Sequence, residues 1–206
     1  MKMTKNKTLA PAGLLLGALL LTACGGDNGT TSGDASSGSE TPSSTTTEYN
    51  DADVTFAQGM IPHHQQAVEM AQQAEAQGES EEVKALATKI EAAQAPEIEQ
   101  LTTWLDRWGA EAPSGQFDHG DMGHGDPDSP MSGMMTEEDM AALGDESGAE
   151  FDQMFLEMMI EHHRGAVTMA ETQVDEGENP DAVAMAEEII STQNAEIEQM
   201  EQLLGS

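Results

Sequence analysis

The sequence predicts an all-α protein, a four-helix bundle assembled from two duplicated helical hairpins. Three observations lead there. A block of sequence recurs at a constant offset of 99 residues, Asp53 in the first copy falling on Asp152 in the second. Within each copy, apolar residues return at alternating three- and four-residue steps, the stripe of an amphipathic helix. Glycine and N-cap signals stand where such helices must stop and start. Only 3% of the 206 residues are aromatic, whereas methionine occurs 15 times. The core must therefore lean on thioethers, which are both adaptable packing groups and soft metal ligands.

The chain opens with a basic segment (Lys2, Lys5, Lys7) followed by an apolar run, Leu9 to Leu21, too short to remain a membrane span. The run ends in Leu21-Thr22-Ala23-Cys24, which resembles the lipobox of bacterial lipoproteins. Residues 1–23 are thus expected to be an export signal, with Cys24 as the lipid-attachment residue anchoring the protein to the extracytoplasmic face of the membrane. Residues 24–50 are Gly, Ser, Thr and Asp with almost no apolar content, the composition of a flexible tether. Cys24 is the only cysteine. Once it is lipidated, any soft-metal site has to be built from Met and His, a donor set suited to an oxidising compartment.

Residues 51–206 form the expected bundle: repeat 1 over 51–108, a Met/His-rich connection over 109–145, and repeat 2 over 146–206. The first helix of repeat 1 carries the stripe Phe56, Met60, His63, Ala67, Met70, Ala74; the second carries Leu86, Ile90, Gln94, Ile98, Leu101, Leu105. Gly78 and Gly177 are placed to stop the first helix of each copy. Ser80 is a fitting N-cap for the next helix, and Asn179-Pro180 offers an N-cap followed by proline at the first helical position. Pro62 should kink the helix that contains it; its counterpart is Glu161, so the motif does not require a kink. Thr136 to Leu143 reads as a short helix within the connection.

The chemistry concentrates in a repeated Met-x-x-His-His. Met60 and His63 lie one turn apart, roughly 4.5 Å along the axis, on one helix face. His63 falls on the apolar stripe and should face the core, with Ala67 leaving space beside it and Met70 leaning back toward it. His64 falls on the neighbouring Ile61/Val68 line. Repeat 2 presents Met159, His162, His163, Ala166 and Met169 in the same way. Imidazole with thioether suits copper, or another soft or borderline metal, better than hard cations. The competing reading is packing alone, since core methionines and single core histidines are ordinary.

Gln94, Glu97, Gln193 and Glu196 are polar residues set into the second helices, either orienting the histidines or lying on a solvated flank. His119, Met122 and His124, on the Gly-rich connection, offer a weaker metal site or a plain acidic linker. Glu-x-x-His and His-Glu-x-x-His are absent at both pairs, which removes the carboxylate di-iron and common zinc-protease patterns. With Lys+Arg at 7 against Asp+Glu at 39, a formal net charge of -32, nucleic acid is excluded as a partner.

These motifs bring a family into view. Phe56–Ala71 (FAQGMIPHHQQAVEMA), Met134–Glu138 (MMTEE) and Phe151–Ala170 (FDQMFLEMMIEHHRGAVTMA), with Trp104-Leu105 and Trp108-Gly109, resemble domain-of-unknown-function family 305 across nearly all of residues 51–206. The resemblance implies a ferritin-like bundle, exported or lipid-anchored, of copper-binding type. The ligands it implies are His63, His64, Met60, Met70, His162, His163, Met159 and Met169. The expected function is copper binding, sequestration or transfer in metal homeostasis, with a homo-oligomer or a metal-transfer protein as partner. The alternative is a helical interaction module at the cell surface without metal. A metal-dependent oxidase ranks last, because no substrate-facing acid–base set is visible.

Overall fold

The computed structural model describes residues 48–113 and 132–205. The export signal, Cys24, most of the tether, and His119, Met122 and His124 lie outside the described residues. Five helices follow in order: α1 (Asp51–Gln77), α2 (Glu81–Trp108), α3 (Glu137–Asp145), α4 (Gly148–Glu176) and α5 (Pro180–Leu204). The four long ones are those expected from the periodicity, and no strand occurs among the described residues. None of these helices is long and apolar enough to cross a membrane.

The helix ends obey local chemistry. Asn50 and Asp53 form a capping box at the start of α1, Ser80 Oγ accepts from Val83 N–H, and Thr136 caps α3 in a box with Asp139. Asn179 caps α5, whose first residue is Pro180. Gly78 and Gly177 do end α1 and α4, but with φ of -63° and -72° they are extended rather than left-handed. At Gly78 the demand is space: a Cβ there would stand 2.8 Å from a carboxylate oxygen of Asp152. Helix α1 continues through Pro62, which is buried, and α2 likewise continues through Pro96.

Asp152 is half of a reciprocal clasp. It lies near the start of α4 and accepts main-chain N–H bonds from Glu79 (3.1 Å) and Ser80 (2.7 Å), in the turn of the other hairpin. Its repeat partner Asp53 lies in the first turn of α1 and accepts from Glu178 N–H (3.2 Å) and Asn179 N–H (3.1 Å), and from the Gln173 side chain. Hydrogen bonds to a buried carboxylate each contribute about 1.5–3 kcal/mol. Each hairpin thus pins the other's turn, which sets α1 antiparallel to α4 and fixes their register.

Helices α1 and α4 form the central pair, with α2 packed on α1 and α5 on α4. Because α2 ends at the end of the bundle where α1 begins, and α4 starts at the opposite end, the connection has to travel the bundle's whole length. That is the single long crossover of ferritin-like bundles. It joins the core as it goes, since Met135 and Leu143 are both buried. The core itself divides in two. One cluster gathers Met70, Leu86, Ile90, Phe151, Phe155 and Met159 with their neighbours. The other gathers Phe56, Met60, Leu101, Trp104, Met169 and Ile189. Both clusters draw on α1, α2, α4 and α5, and the midpoints of α1 and α4, where the histidines sit, lie between them.

Candidate metal centre

His63, His64, His162 and His163 are all fully buried. The clasp that sets the register of α1 against α4 also brings the repeat-related His63 and His162 face to face, their ring centroids 3.8 Å apart and their planes tilted by 44°. The two hairpins therefore converge on one place, a question the sequence left open. His64 and His163 turn away, each toward its own hairpin partner. His64 Nε2 lies 2.7 Å from Glu97 Oε2, and His163 Nε2 lies 2.8 Å from Glu196 Oε2. These carboxylates are partly buried and each engages a histidine directly, as in the orienting alternative for Glu97 and Glu196. Gln94 and Gln193 are buried but make no hydrogen bond to a histidine. Both amide atoms of Gln94, and Oε1 of Gln193, lack partners.

The four expected methionines flank this layer. Met60 and Met169 belong to one core cluster, Met70 and Met159 to the other, so thioethers from both repeats lie on each side. Met60, Met70 and Met159 are fully buried and Met169 nearly so.

Hydrogen bonding decides which ring nitrogens remain free. His63 Nε2 lies 3.1 Å from the main-chain carbonyl of Ser132. A carbonyl only accepts, so Nε2 carries the proton and Nδ1 the lone pair. His63 Nδ1 has no partner, and neither do Nδ1 of His64 and His163. On His162 neither ring nitrogen has a side-chain partner, and its one favourable polar neighbour is the His63 main chain. Burial lowers the His63 pKa to about 3; His64 and His163 add to the effect and the bond to Ser132 opposes it. Burial, then the His63, His163 and His64 rings, hold His162 well below its ordinary value, against an opposing contribution from the His63 main chain. Both imidazoles are consequently neutral, the form that ligates metals.

Buried polar atoms normally find partners, so the unpaired nitrogens of two neutral imidazoles, His63 and His162, in a layer flanked by methionines fit a soft ion. Among the described residues no group of three His, Cys, Asp or Glu side chains is arranged to hold a metal alone.

Sequence reasoning did not single out Gln66, Ser132 or Gly165. Gln66 is buried and pairs with the main chain of Met135 at both ends: its Nε2 donates to Met135 O (2.9 Å) and its Oε1 accepts from Met135 N–H (2.7 Å). The 99-residue offset sets Gln66 against Gly165, but that difference is one of several in the repeated block and does not stand out in the sequence.

The pH dependence of stability follows from the buried rings. The folded pKa of His63, about 3, lies below the ordinary 6.5, so the unfolded chain takes up protons first as pH falls. Stability is full above about pH 6.5 and declines below it, by up to roughly 1.4 kcal/mol per pH unit for each such histidine. Urea unfolding of the metal-free domain between pH 7 and 5 should show this slope, and replacing both His63 and His162 by Leu should flatten it. An equal slope in the double variant would mean that these rings do not govern it.

Known proteins share this architecture. The chain matches the family described as Domain of unknown function (DUF305) over residues 53–204. Among curated protein sequences, none matches it. A DUF305 protein from Streptomyces coelicolor, designated secreted, shares 35% identity at a TM-score of 0.66, over 75% of this chain and 92% of its own. A DUF305 fragment from Deinococcus radiodurans shares 30% identity at a TM-score of 0.64, over 76% of this chain and 97% of its own. CopM in its Cu(II)-bound form shares 35% identity at a TM-score of 0.62, over 74% of this chain and 95% of its own. CopM has also been solved with Cu(I) and with silver. The shared helical architecture and the match across both repeats place this chain in the DUF305 family.

Proposed function

We propose that the protein binds copper outside the cytoplasm, as an exported lipoprotein that sequesters the ion or passes it on. The observation that carries the reading is the His63–His162 contact, two buried imidazoles 3.8 Å apart with unpaired ring nitrogens. Similarity to CopM, which is known in Cu(II)- and Cu(I)-bound forms, supports the choice of metal. His63 and His162 would supply nitrogen, and Met60, Met159, Met70 and Met169 would supply sulfur. His64 and His163 would offer Nδ1, each ring held by a carboxylate through Nε2 in the way that second partners orient metal-bound imidazoles. Cu(I) and Ag(I) are the best matches, because thioether is soft and uncharged. A sealed, apolar setting suits storage and transfer better than turnover, so the reading is of a binding protein and not an enzyme.

Cu(I) affinity, measured anaerobically against a competing chelator, tests the site. Replacing His63 and His162 together by Leu should weaken it at least tenfold, roughly 1.4 kcal/mol. Replacing Met60 and Met159 by Leu should weaken Cu(I) binding more than Cu(II) binding. Equal Cu(I) affinity in the wild type and both variants would reject the site and favour a packing role for the layer. Anchoring rests on the lipobox-like Leu21–Cys24 segment. Labelled fatty acid should enter the protein and Cys24→Ala should abolish that; undiminished labelling of the variant would remove the anchor.

A further inference from the structure

The duplicated halves differ most informatively where the crossover passes the histidines. Ser132 to Thr136 runs from α4 to α1 at the level of the buried rings, and three contacts hold it there. The Ser132 carbonyl accepts from His63 Nε2 and is the sole partner of that ring among the described residues. Gln66, one turn beyond His63, grips the Met135 main chain with both ends of its amide. On the other side, Gly133 adopts φ of 80°, a left-handed backbone that favours glycine, and lies against the α4 main chain. A Cβ at Gly165 would collide with the Ser132 carbonyl and stand 2.8 Å from Gly133 Cα.

Gln66 and Gly165 occupy the same position in the two repeats. One has become an anchor and the other a clearance. Glycine inside a helix costs about 1 kcal/mol relative to alanine, so α4 gives up intrinsic stability at the one point where the segment needs to sit. The two residue choices are complementary and serve one segment. They break the molecule's internal two-fold symmetry at the histidine layer: His63 acquires a carbonyl partner from the crossover, and His162 acquires none from it.

We infer that Ser132–Thr136 is the gate of the histidine site, with Gln66 and Gly165 as the positioning residues that keep it shut. The inference rests on the copper reading of that site. Closed, the strap seals the rings from water and fixes His63 as the Nε2–H tautomer, which leaves Nδ1 as its donor. An ion reaches or leaves the pair when the strap lifts from Gly165 and the Gln66 clasp opens. The duplicated layer thereby has one guarded side, and exchange of the ion is set by the strap and not by separation of the helices.

Two variants loosen the strap from opposite sides. Gln66→Met removes both clasp bonds at similar volume. Gly165→Ala unseats the strap while improving helix propensity, so it remains informative if the first variant folds poorly. In the folded proteins, transfer of bound Ag(I) to a chelator should accelerate at least tenfold in each. In the metal-free proteins, the His63 Nε2–H proton should be observed by NMR in the wild type, protected from solvent exchange, and should lose that protection in both variants. Unchanged transfer rates in both folded variants overturn the gate, as does a wild-type His63 found without a proton on Nε2. If the wild type binds neither Ag(I) nor Cu(I), the copper reading falls and the gate with it. Wild-type binding with unaltered variant kinetics removes the gate alone.

Discussion

Burying His63 against His162 takes two polar rings out of water in the middle of a bundle that offers them almost no hydrogen-bond partners. Leaving a polar group buried and unpaired costs on the order of 1–3 kcal/mol, and the remaining arrangement is best understood as what holds that layer in place. Two apolar clusters, one on each side, supply the burial that a layer of unpaired imidazoles and amides does not. The Asp53 and Asp152 clasps fix the register of α1 against α4, and a slip of one turn would separate the two rings. Glu97 and Glu196 draw His64 and His163 outward, so that four imidazoles do not crowd a single point.

Two-fold symmetry accounts for much of this and its failure accounts for the rest. Aspartate clasps, carboxylate-held histidines and flanking methionines each occur twice, related by the same offset. The crossover cannot be duplicated, because a chain with two hairpins has only one connection between them. It must pass one face of the bundle, and it does so at the histidine layer, where Gln66 receives it and Gly165 makes room.

Much of the architecture was legible from local rules. The repeat, the stripes and the caps at Ser80 and Asn179 depend on residues close in sequence, and His63 was readable as core-facing because it stands on the stripe with Phe56 and Met60. The meeting of His63 with His162 was not readable, since it depends on the register between two helices and therefore on the clasps. Asp53 and Asp152 were visible as matching residues, yet nothing in a helix pattern says that a carboxylate will reach the other hairpin's turn. The glycine stops illustrate the same limit: Gly78 reads as a helix stop, and the sequence does not show that a side chain there would meet the Ala74 carbonyl and the carboxylate of Asp152, which is distant along the chain. Gln94 and Gln193 mark a remaining misfit, because their position implied support for the histidines and their amides make no such contact.

The central claim is that the unpaired Nδ1 of His63 and the ring of His162 are donors to a soft ion. Its most direct test is nitrogen NMR of the histidine rings during addition of Ag(I), a spin-bearing stand-in for Cu(I). The account predicts a large shift, with coupling to silver, at Nδ1 of His63 and at one nitrogen of His162, while Nε2 of His63 keeps its proton. Silver that binds the protein but leaves both of these rings unperturbed would contradict it.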